Sequence, residues 1–320
     1  MSDGMNRRDL LKVSGGALLA TSLGCQTAPK AASEKHGKRR ALRVAHLTDM
    51  HLDVGRNAEQ WGIRCFQHVQ SQADPPDLIL NGGDIVMDAL DAKKEHVAPQ
   101  WDVVQRVLRT CSLPIVHCLG NHDVWGWNRA SSGASPDDPH FGKKWAQEVL
   151  SLEQRYYSRD LGSWKLLVLD SNSPGRQRIY DAHLDEEQFA WLKAELAATP
   201  ADKHVMILSH IPILCAAAYF DGENEKTGDW IVPGSWMHQD ARALKDLFFQ
   251  HPNVRLALSG HIHLLDRIDY NGVTYLCNGA VCGSWWKGSY QETPPGYAMI
   301  DLYEDGTFDH EYVTYGWKKT

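Results

Sequence analysis

Residues 254–263, which read Val-Arg-Leu-Ala-Leu-Ser-Gly-His-Ile-His, constrain the fold of this chain more than any other stretch. An apolar run long enough for a buried strand ends at Ser259-Gly260, and two histidines follow with one residue between them. The same arrangement, an apolar run followed by metal-binding side chains, recurs at four other places: Asp49 and His51 after residues 42–47, Asp84 after 78–80, Asn121 and His122 after 115–119, and His210 after 205–208. In sheets flanked by helices, ligand groups collect where strands end and loops begin. The sequence therefore predicts that five strand ends meet in one cleft.

Strand-like and helix-like segments alternate through most of the chain. Helical spacing covers residues 58–72 and 101–108, and later 185–196 and 240–249, between the apolar runs named above. This alternation predicts βαβ units with largely parallel strands. Two sequence patterns typical of hairpin turns lie in the last part of the sequence, at Asn271-Gly272 and at Glu304-Asp305-Gly306. We expect two packed sheets with helices outside, the second sheet more antiparallel than the first, in a single domain over residues 41–320.

The side chains at the five strand ends favour metal binding. Burying carboxylates and imidazoles together is costly unless they have partners, and cations supply them. The donors are imidazole nitrogen, carboxylate oxygen and amide oxygen without a thiolate, which favours zinc, iron or manganese. Residues 1–40 hold eight Lys/Arg and three Asp/Glu, so the rest of the chain has a formal net charge of −12. That acidic body argues against a nucleic-acid polymer as the partner. A small phosphoester substrate would need local positive charge, which bound divalent cations would supply.

The complete set of motifs resembles the calcineurin-like metallophosphoesterases, in the order that this family has. The matching segments are Asp49-Met50-His51, Gly83-Asp84, Gly120-Asn121-His122-Asp123, His210 and Gly260-His261-Ile262-His263. The resemblance implies a four-layer α/β/β/α sandwich of two mixed sheets around a binuclear centre. It also implies that Asp49, His51 and His263 hold one metal ion. Asn121, His210 and His261 would hold the other, and Asp84 would bridge the two.

The same resemblance implies a hydrolytic mechanism. Two cations about 4 Å apart lower the pKa of a shared water and hold the phosphoryl oxygens, so that hydroxide attacks phosphorus in line. His122 follows the ligand Asn121 but is not a ligand in the family pattern. It is therefore the candidate for phosphate contact and proton donation, with Asp123 orienting its imidazole.

The substrate class stays open at this point. Purple acid phosphatases have a metal-binding tyrosine shortly after the bridging aspartate, whereas Ile85-Val86-Met87-Asp88 follow it here, and that subclass is disfavoured. Bacterial cyclic-nucleotide phosphodiesterases share the Asn-His-Asp and Gly-His-x-His elements. We expect a phosphodiesterase, with Trp125 and Trp285 as candidate walls for a base, sugar or lipid group. The alternatives are a hydrolase of nucleotide-linked or lipid-linked diphosphates, and a non-catalytic metal-binding scaffold.

The N-terminus has the pattern of an export signal. Residues 1–24 contain Arg7-Arg8 with Leu10-Leu11-Lys12 behind them and a short apolar run, which resembles a twin-arginine signal. The machinery that reads such signals exports folded proteins, so we expect a periplasmic or envelope location. Cys25 follows Ser22-Leu23-Gly24 and suggests a lipoprotein anchored to the membrane through that cysteine. Residues 25–40 are predicted to be a flexible tether. The alternative for the whole segment is a disordered basic N-terminus.

Overall fold

The computed structural model of the chain describes residues 34–35 and 37–319. The predicted export signal, Cys25 and the first part of the predicted tether lie outside these residues. The strands, in chain order, are β1 Glu34–Lys35, β2 Lys38–Leu47, β3 Leu78–Asn81, β4 Ile115–His117, β5 Tyr157–Leu161, β6 Trp164–Val168, β7 Asn172–Pro174, β8 Tyr180–Ala182, β9 His204–Leu208, β10 Val254–Ser259, β11 Asp266–Tyr270, β12 Val273–Cys277, β13 Gly296–Tyr303 and β14 Phe308–Thr314. The helices are α1 Ala58–Gln70, α2 Lys94–Leu108, α3 Arg129–Ser132, α4 Lys144–Val149, α5 Glu186–Ala198 and α6 Ala241–Phe249.

The strands form two mixed sheets and one small hairpin. The first sheet has the order β14-β13-β2-β3-β4, with β1 paired to β2, and the second has the order β11-β12-β10-β9-β6-β5. Strands β7 and β8 pair only with each other. The predicted hairpin around Asn271-Gly272 is confirmed, because β11 and β12 pair antiparallel from Asp266–Cys277 to Tyr270–Val273.

The expectation that the second sheet is more antiparallel is wrong. Its four inner strands, β12, β10, β9 and β6, are all parallel, and only the edge strands β11 and β5 run antiparallel. The antiparallel strand β13 instead joins the first sheet between β14 and β2. All eight residues of β13 are buried. A strand of this kind needs cover on both faces, which a position inside the first sheet provides and an edge of the second would not.

Three apolar layers confirm the predicted four-layer α/β/β/α architecture. Side chains of the first sheet, such as Leu47 and Ile79, pack outward against α1 and α2. Alternate side chains of both sheets, including Val44 and Leu208, pack against one another in the middle layer. The outer face of the second sheet packs against α5 and α6, where Leu192 is fully buried. The alternation along each strand thus supplies two apolar faces per sheet.

Residues 38–40, which were predicted to belong to the tether, form part of a strand. Lys38, Arg39 and Arg40 belong to β2, and Arg40 is buried. Its guanidinium forms ion pairs with Asp74 at 2.6 Å and Asp301 at 3.0 Å. A charge this deeply buried is stable only with such partners, so the segment is part of the fold rather than of a flexible tether. Among the helices of the described residues, none has the length and apolar character needed to cross a bilayer.

Candidate metal centre

The five strand ends predicted from the sequence meet at one edge of the sandwich. Asp49 and His51 follow β2, Asp84 follows β3, and the Asn121-His122 pair follows β4. From the second sheet, His210 follows β9, and His261 and His263 follow β10. The parallel strands of both sheets therefore direct their carboxyl ends toward a shared cleft, the place where open α/β sheets bind ligands.

Five of these side chains are carried by residues in the left-handed backbone region. The φ angles are 53° at Asp49, 43° at His51, 50° at Asp84, 71° at His261 and 62° at His263. Non-glycine residues rarely adopt this conformation, and it costs on the order of 1–3 kcal/mol at each position when other contacts impose it. Left-handed residues are known to cluster at functional sites, and here they turn each side chain back over the end of its own strand.

One half of the centre contains two imidazole nitrogens that face each other. His51 Nε2 lies 3.3 Å from His263 Nε2. Each ring already places its Nδ1 against a backbone carbonyl, Met87 O at 3.1 Å and Gly283 O at 2.7 Å. A carbonyl only accepts, so both Nδ1 atoms carry the proton and both Nε2 atoms present lone pairs. Asp49 Oδ1, 3.3 Å from His263 Nε2, is buried and accepts no hydrogen bond from the described residues. A cation between these atoms would satisfy all three.

The second half of the centre has a similar arrangement with a different set of candidate metal-ligand atoms. His210 Nδ1 donates to Gly82 O at 2.8 Å, which leaves Nε2 as a lone pair. That Nε2 lies 3.2 Å from Asn121 Oδ1 and 3.3 Å from His261 Nδ1. Asp84 connects the two halves, because its Oδ2 is 3.2 Å from His210 Nε2 and 3.8 Å from His51 Nε2. The residues present therefore fit two metal ions that share Asp84.

Glycines allow the backbone to approach these carboxylates closely. A Cβ at Gly120 would lie 2.1 Å from Asp84 Oδ1, and one at Gly260 would lie 2.2 Å from Asp49 Oδ2. Both distances are far below van der Waals contact. The Gly120-Asn121-His122 and Gly260-His261-Ile262-His263 segments therefore need glycine at the first position for steric reasons, independently of any metal.

Burial keeps part of the imidazole set in the form that binds metals. The pKa of His51 is lowered to about 3, first by desolvation and then by the neighbouring His122. Desolvation also lowers the pKa of His261 to about 3, with His210 as the next cause. Neutral imidazole, not imidazolium, is the ligand form.

Cys282 is a neighbour of the first half that the sequence pattern did not indicate. Its sulfur lies within 4.8 Å of ligand nitrogens of His51 and His263, and the residue is buried. Desolvation raises the pKa of the Cys282 thiol well above its usual value, and Asp49 raises it further. The thiol is therefore protonated unless a metal ion binds to it.

The structure corrects the role predicted for Asp123. Its carboxylate accepts backbone N–H groups of Asp84 at 3.0 Å, Ile85 at 2.9 Å and Gly120 at 2.8 Å. These bonds fix the loops that carry Asp84 and Asn121, and the carboxylate does not orient the imidazole of His122. Asp88 takes that position instead, with Oδ1 3.3 Å from His122 Nδ1. The spacing of residues in the sequence does not tell which of these two carboxylates reaches the ring.

His122 lies against the centre without being enclosed by it. Its ring is 4.9 Å from that of His51, and its backbone N–H donates to Asp84 Oδ1 at 2.7 Å. Desolvation acts to lower the pKa of His122, but the Asp84 and Asp88 carboxylates outweigh it and raise the pKa to about 9. The two carboxylates therefore favour the protonated form of this imidazole.

A pocket of about 410 Å³ opens over the centre, and its walls are largely aromatic. The Trp285 ring lies 4.6 Å from that of His263, and Tyr290 packs against Trp285 at 5.7 Å. The remaining lining residues outside the sequence motifs are Tyr180, Asp221, Gly222 and Trp236. They come from separate loops and from the β7–β8 hairpin, and no local pattern in the sequence marks them.

The prediction that Trp125 lines the substrate pocket is wrong. Trp125 is buried in the first sheet's outer layer, where its ring meets that of Trp145 at 5.7 Å and its Nε1 donates to Ala92 O at 3.1 Å. Trp285 does reach the pocket. Both tryptophans follow motif strands on loops, so the sequence could not tell a ring that packs inward from one that faces the metals.

Comparison with known proteins gives a consistent result. The profile of the Calcineurin-like phosphoesterase family matches residues 42–265. The 3′,5′-cyclic adenosine monophosphate phosphodiesterase CpdA of Escherichia coli (strain K12) is 26% identical over 84% of this chain and 88% of its own length. A 3′,5′-cyclic-nucleotide phosphodiesterase of Nostoc sp. is 23% identical over 83% of this chain and 90% of its own. A dimetal phosphatase from Danio rerio superposes with a TM-score of 0.59 at 17% identity, covering 87% of this chain and 100% of that one.

The matched profile spans well over half of the chain and contains every strand end that contributes to the centre. The protein belongs to the calcineurin-like phosphoesterase family. It is a metal-dependent hydrolase of phosphoric esters.

Proposed function

We propose that the protein hydrolyses small phosphodiesters that carry an aromatic ring, with cyclic nucleotides as the first class to test. One observation carries this proposal: two facing pairs of imidazole nitrogens flank Asp84 at the base of a pocket with aromatic walls. The names of the Escherichia coli and Nostoc relatives support the same class, since both are called cyclic-nucleotide phosphodiesterases.

In this proposal Asp49, His51 and His263 hold one metal ion, and Asn121, His210 and His261 hold the second. Asp84, whose Oδ2 lies near both His210 and His51, would contribute its carboxylate to both sites. Two such cations would supply a water of lowered pKa and positive charge for the phosphoryl oxygens. The donor set fits iron, manganese or zinc. Six of the seven side chains, all except His261, are buried, which limits the screening of those charges by bulk water.

His122 acts as the proton donor to the leaving oxygen. Its ring lines the pocket beside Asp84, and the carboxylate of Asp88 lies behind it at 3.3 Å from Nδ1. With Nδ1 held by Asp88, Nε2 is left to carry the transferable proton. In a diester the leaving group is an alkoxide, which is a strong base, so a positioned acid has a large effect, typically about 10²–10⁴-fold.

The aromatic walls suit a planar ring on the substrate. Trp285, Tyr290 and Trp236 lie on loops around the pocket, and Tyr180 approaches His261 from the β7–β8 hairpin at a ring distance of 6.4 Å. Stacking on such side chains contributes about 1–3 kcal/mol per base in nucleic-acid complexes. The pocket volume of about 410 Å³ is in the usual range for small-ligand sites.

A substrate panel on metal-loaded protein tests this proposal. We expect 3′,5′-cyclic AMP and bis(p-nitrophenyl) phosphate to be hydrolysed with a higher kcat/KM than p-nitrophenyl phosphate or a nucleotide diphosphate sugar. A Trp285→Ala variant should raise KM for cyclic AMP more than for a dimethyl phosphate ester of the same charge. Preference for the diphosphate sugar over both diesters would contradict the proposal and favour the pyrophosphate-bond alternative.

We further propose that the protein is exported in folded form and anchored through Cys25. The support is the Arg7-Arg8 pair, the short apolar run behind it and the position of Cys25. A site of seven ligands from five loops suits loading of metals before transport. Cell fractionation of the full chain and of an Arg7→Lys/Arg8→Lys variant tests export, and labelling of Cys25 with a fatty-acid analogue tests the anchor. Cytoplasmic retention of the unmodified chain would contradict the first statement.

A further inference from the structure

A second cleft lies behind the loop that carries Trp285 and Trp286. It has a volume of about 440 Å³ and is lined by Arg56, Asn57, Trp286, Lys287, Trp317 and Lys319. Three of these side chains are cationic and two are indoles, and none is acidic. Residues 41–320 have a formal net charge of −12. A cleft lined by three positive side chains therefore differs in charge from the rest of this part of the chain.

The cations of this cleft are not neutralised by neighbouring carboxylates. Within the part of the chain that the structure describes, Arg56, Lys287 and Lys319 form no ion pair, and all three are exposed. The guanidinium of Arg56 is held in place by a hydrogen bond from Nη1 to Trp285 O at 3.1 Å. Three positive groups around one concave space create a potential that attracts an anion.

The two indoles are held as fixed walls. Trp286 is buried and donates from Nε1 to His51 O at 2.8 Å. Trp317 packs against Trp61 with ring centroids 6.0 Å apart. Rings that are fixed before a ligand arrives give stacking surface at little entropic cost. An anion that also carries a flat ring would therefore use both parts of the cleft.

The cleft is separate from the catalytic pocket. The two neighbouring residues Trp285 and Trp286 both have left-handed φ angles, 48° and 64°. Trp285 lines the catalytic pocket and Trp286 lines the second cleft. The loop is thus a partition, and a molecule in the second cleft would lie on the far side of it from the metal ligands.

We propose that this cleft is a second binding site, specific for a phosphate group attached to a planar heterocycle, as in a nucleoside monophosphate. The phosphate would lie among Lys287, Lys319 and Arg56, and the ring would lie against the partly exposed indole of Trp317, beside the edge of Trp286 that reaches the cleft. Phosphate bound by several cationic donors and a base stacked on indole are both ordinary recognition modes. This inference does not depend on which ester the metal centre hydrolyses.

The experiment uses the full-length, metal-loaded protein labelled with 5-fluorotryptophan and titrated with AMP. The fluorine resonances of Trp317 and Trp285, assigned with Trp317→Phe and Trp285→Phe, report on the second cleft and the catalytic pocket separately. We expect AMP to shift the Trp317 resonance in a saturable way. Inorganic phosphate and adenosine, which each carry half of the ligand, should bind there more weakly than AMP.

Matched charge variants locate the site. In Lys287→Ala/Lys319→Ala the affinity read at Trp317 should fall about tenfold, while the affinity read at Trp285 stays the same. The control Lys193→Ala/Lys318→Ala removes the same charge from two exposed lysines that do not line the cleft. A Trp317 resonance that AMP does not move would overturn the proposal. Equal weakening in the control, or adenosine binding as tightly as AMP, would overturn it as well.

Discussion

His51 Nε2 and His263 Nε2 lie 3.3 Å apart with their lone pairs directed at each other. Both rings use Nδ1 for a backbone carbonyl, and neither ring can rotate without giving up that bond. Two lone pairs at this distance repel unless a proton or a metal ion lies between them. The pair is therefore arranged for a shared cation, and this geometry is the basis of the first prediction.

Replacing His263 by alanine should remove one metal ion and leave the other. The second half of the centre keeps His210, His261 and Asn121, and none of them contacts His263 through a hydrogen bond among the described residues. Metal content by mass spectrometry should fall from about two ions per chain to about one. The control is His96→Ala, an exposed histidine on α2. Retention of both ions in His263→Ala would contradict the ligand assignment.

The variant His122→Ala should lose turnover without losing metal. His122 lies at the pocket wall, and the assigned ligands do not include it. Removal of a positioned proton donor should lower kcat by about 10²–10⁴-fold for an alkyl diester. The loss should be much smaller for bis(p-nitrophenyl) phosphate, whose leaving group needs no proton. Equal losses on the two substrates would show that His122 acts in another way.

Asp88 and Asp123 should give opposite results when each is changed to asparagine. Asp88→Asn removes the negative charge behind His122 and should lower kcat about tenfold while the melting temperature changes little. Asp123→Asn replaces an acceptor of several buried backbone N–H groups and should destabilise the fold by about 1–3 kcal/mol. Thermal unfolding and steady-state kinetics on the same samples separate the two. The reverse pattern would restore the original assignment of Asp123.

The free energy of unfolding should decrease as the pH is lowered below about 6.5. The cause is a chain of three hydrogen-bonded polar side chains, two of which are histidines. His310 Nε2 donates to Asn278 Oδ1 at 2.8 Å, and Asn278 Nδ2 donates to His46 Nδ1 at 2.7 Å. Desolvation lowers the pKa of His46 to about 3 and that of His310 to about 4. Both imidazoles are neutral in the folded state, so their contribution is complete above pH 6.5 and is lost as the pH falls toward 4.

The His310→Gln variant isolates this effect. Between pH 7 and pH 5 the free energy of unfolding should fall by about 1–2 kcal/mol less in His310→Gln than in the unmodified protein. Denaturant unfolding at both pH values measures the difference, and His96→Gln is the exposed control. An unchanged pH dependence in His310→Gln would mean that this imidazole does not titrate on unfolding.

The strand ends and most of their ligands could be predicted because they depend on local patterns. Apolar runs, the Asn271-Gly272 turn and the helix start at Asp185, whose side chain accepts from Gln188 N at 2.9 Å, are all encoded by neighbouring residues. The pocket wall could not be predicted in the same way. Tyr180 belongs to a three-residue strand, and Tyr290 meets Asp221 only because two distant loops fold together. Tertiary packing decides such contacts, and sequence periodicity carries no information about them.

The position of β13 determines when this protein can finish folding. Strand β2, which precedes Asp49 and His51, needs Gly296–Tyr303 as its neighbour on one side, and that segment follows all of the metal-ligand residues in the chain. A nascent chain that stops short of it has an open sheet edge beside half of its ligand-bearing loops. The centre can therefore assemble fully only after this segment has been synthesised, and a chain truncated before it would expose a strand edge that is prone to aggregation.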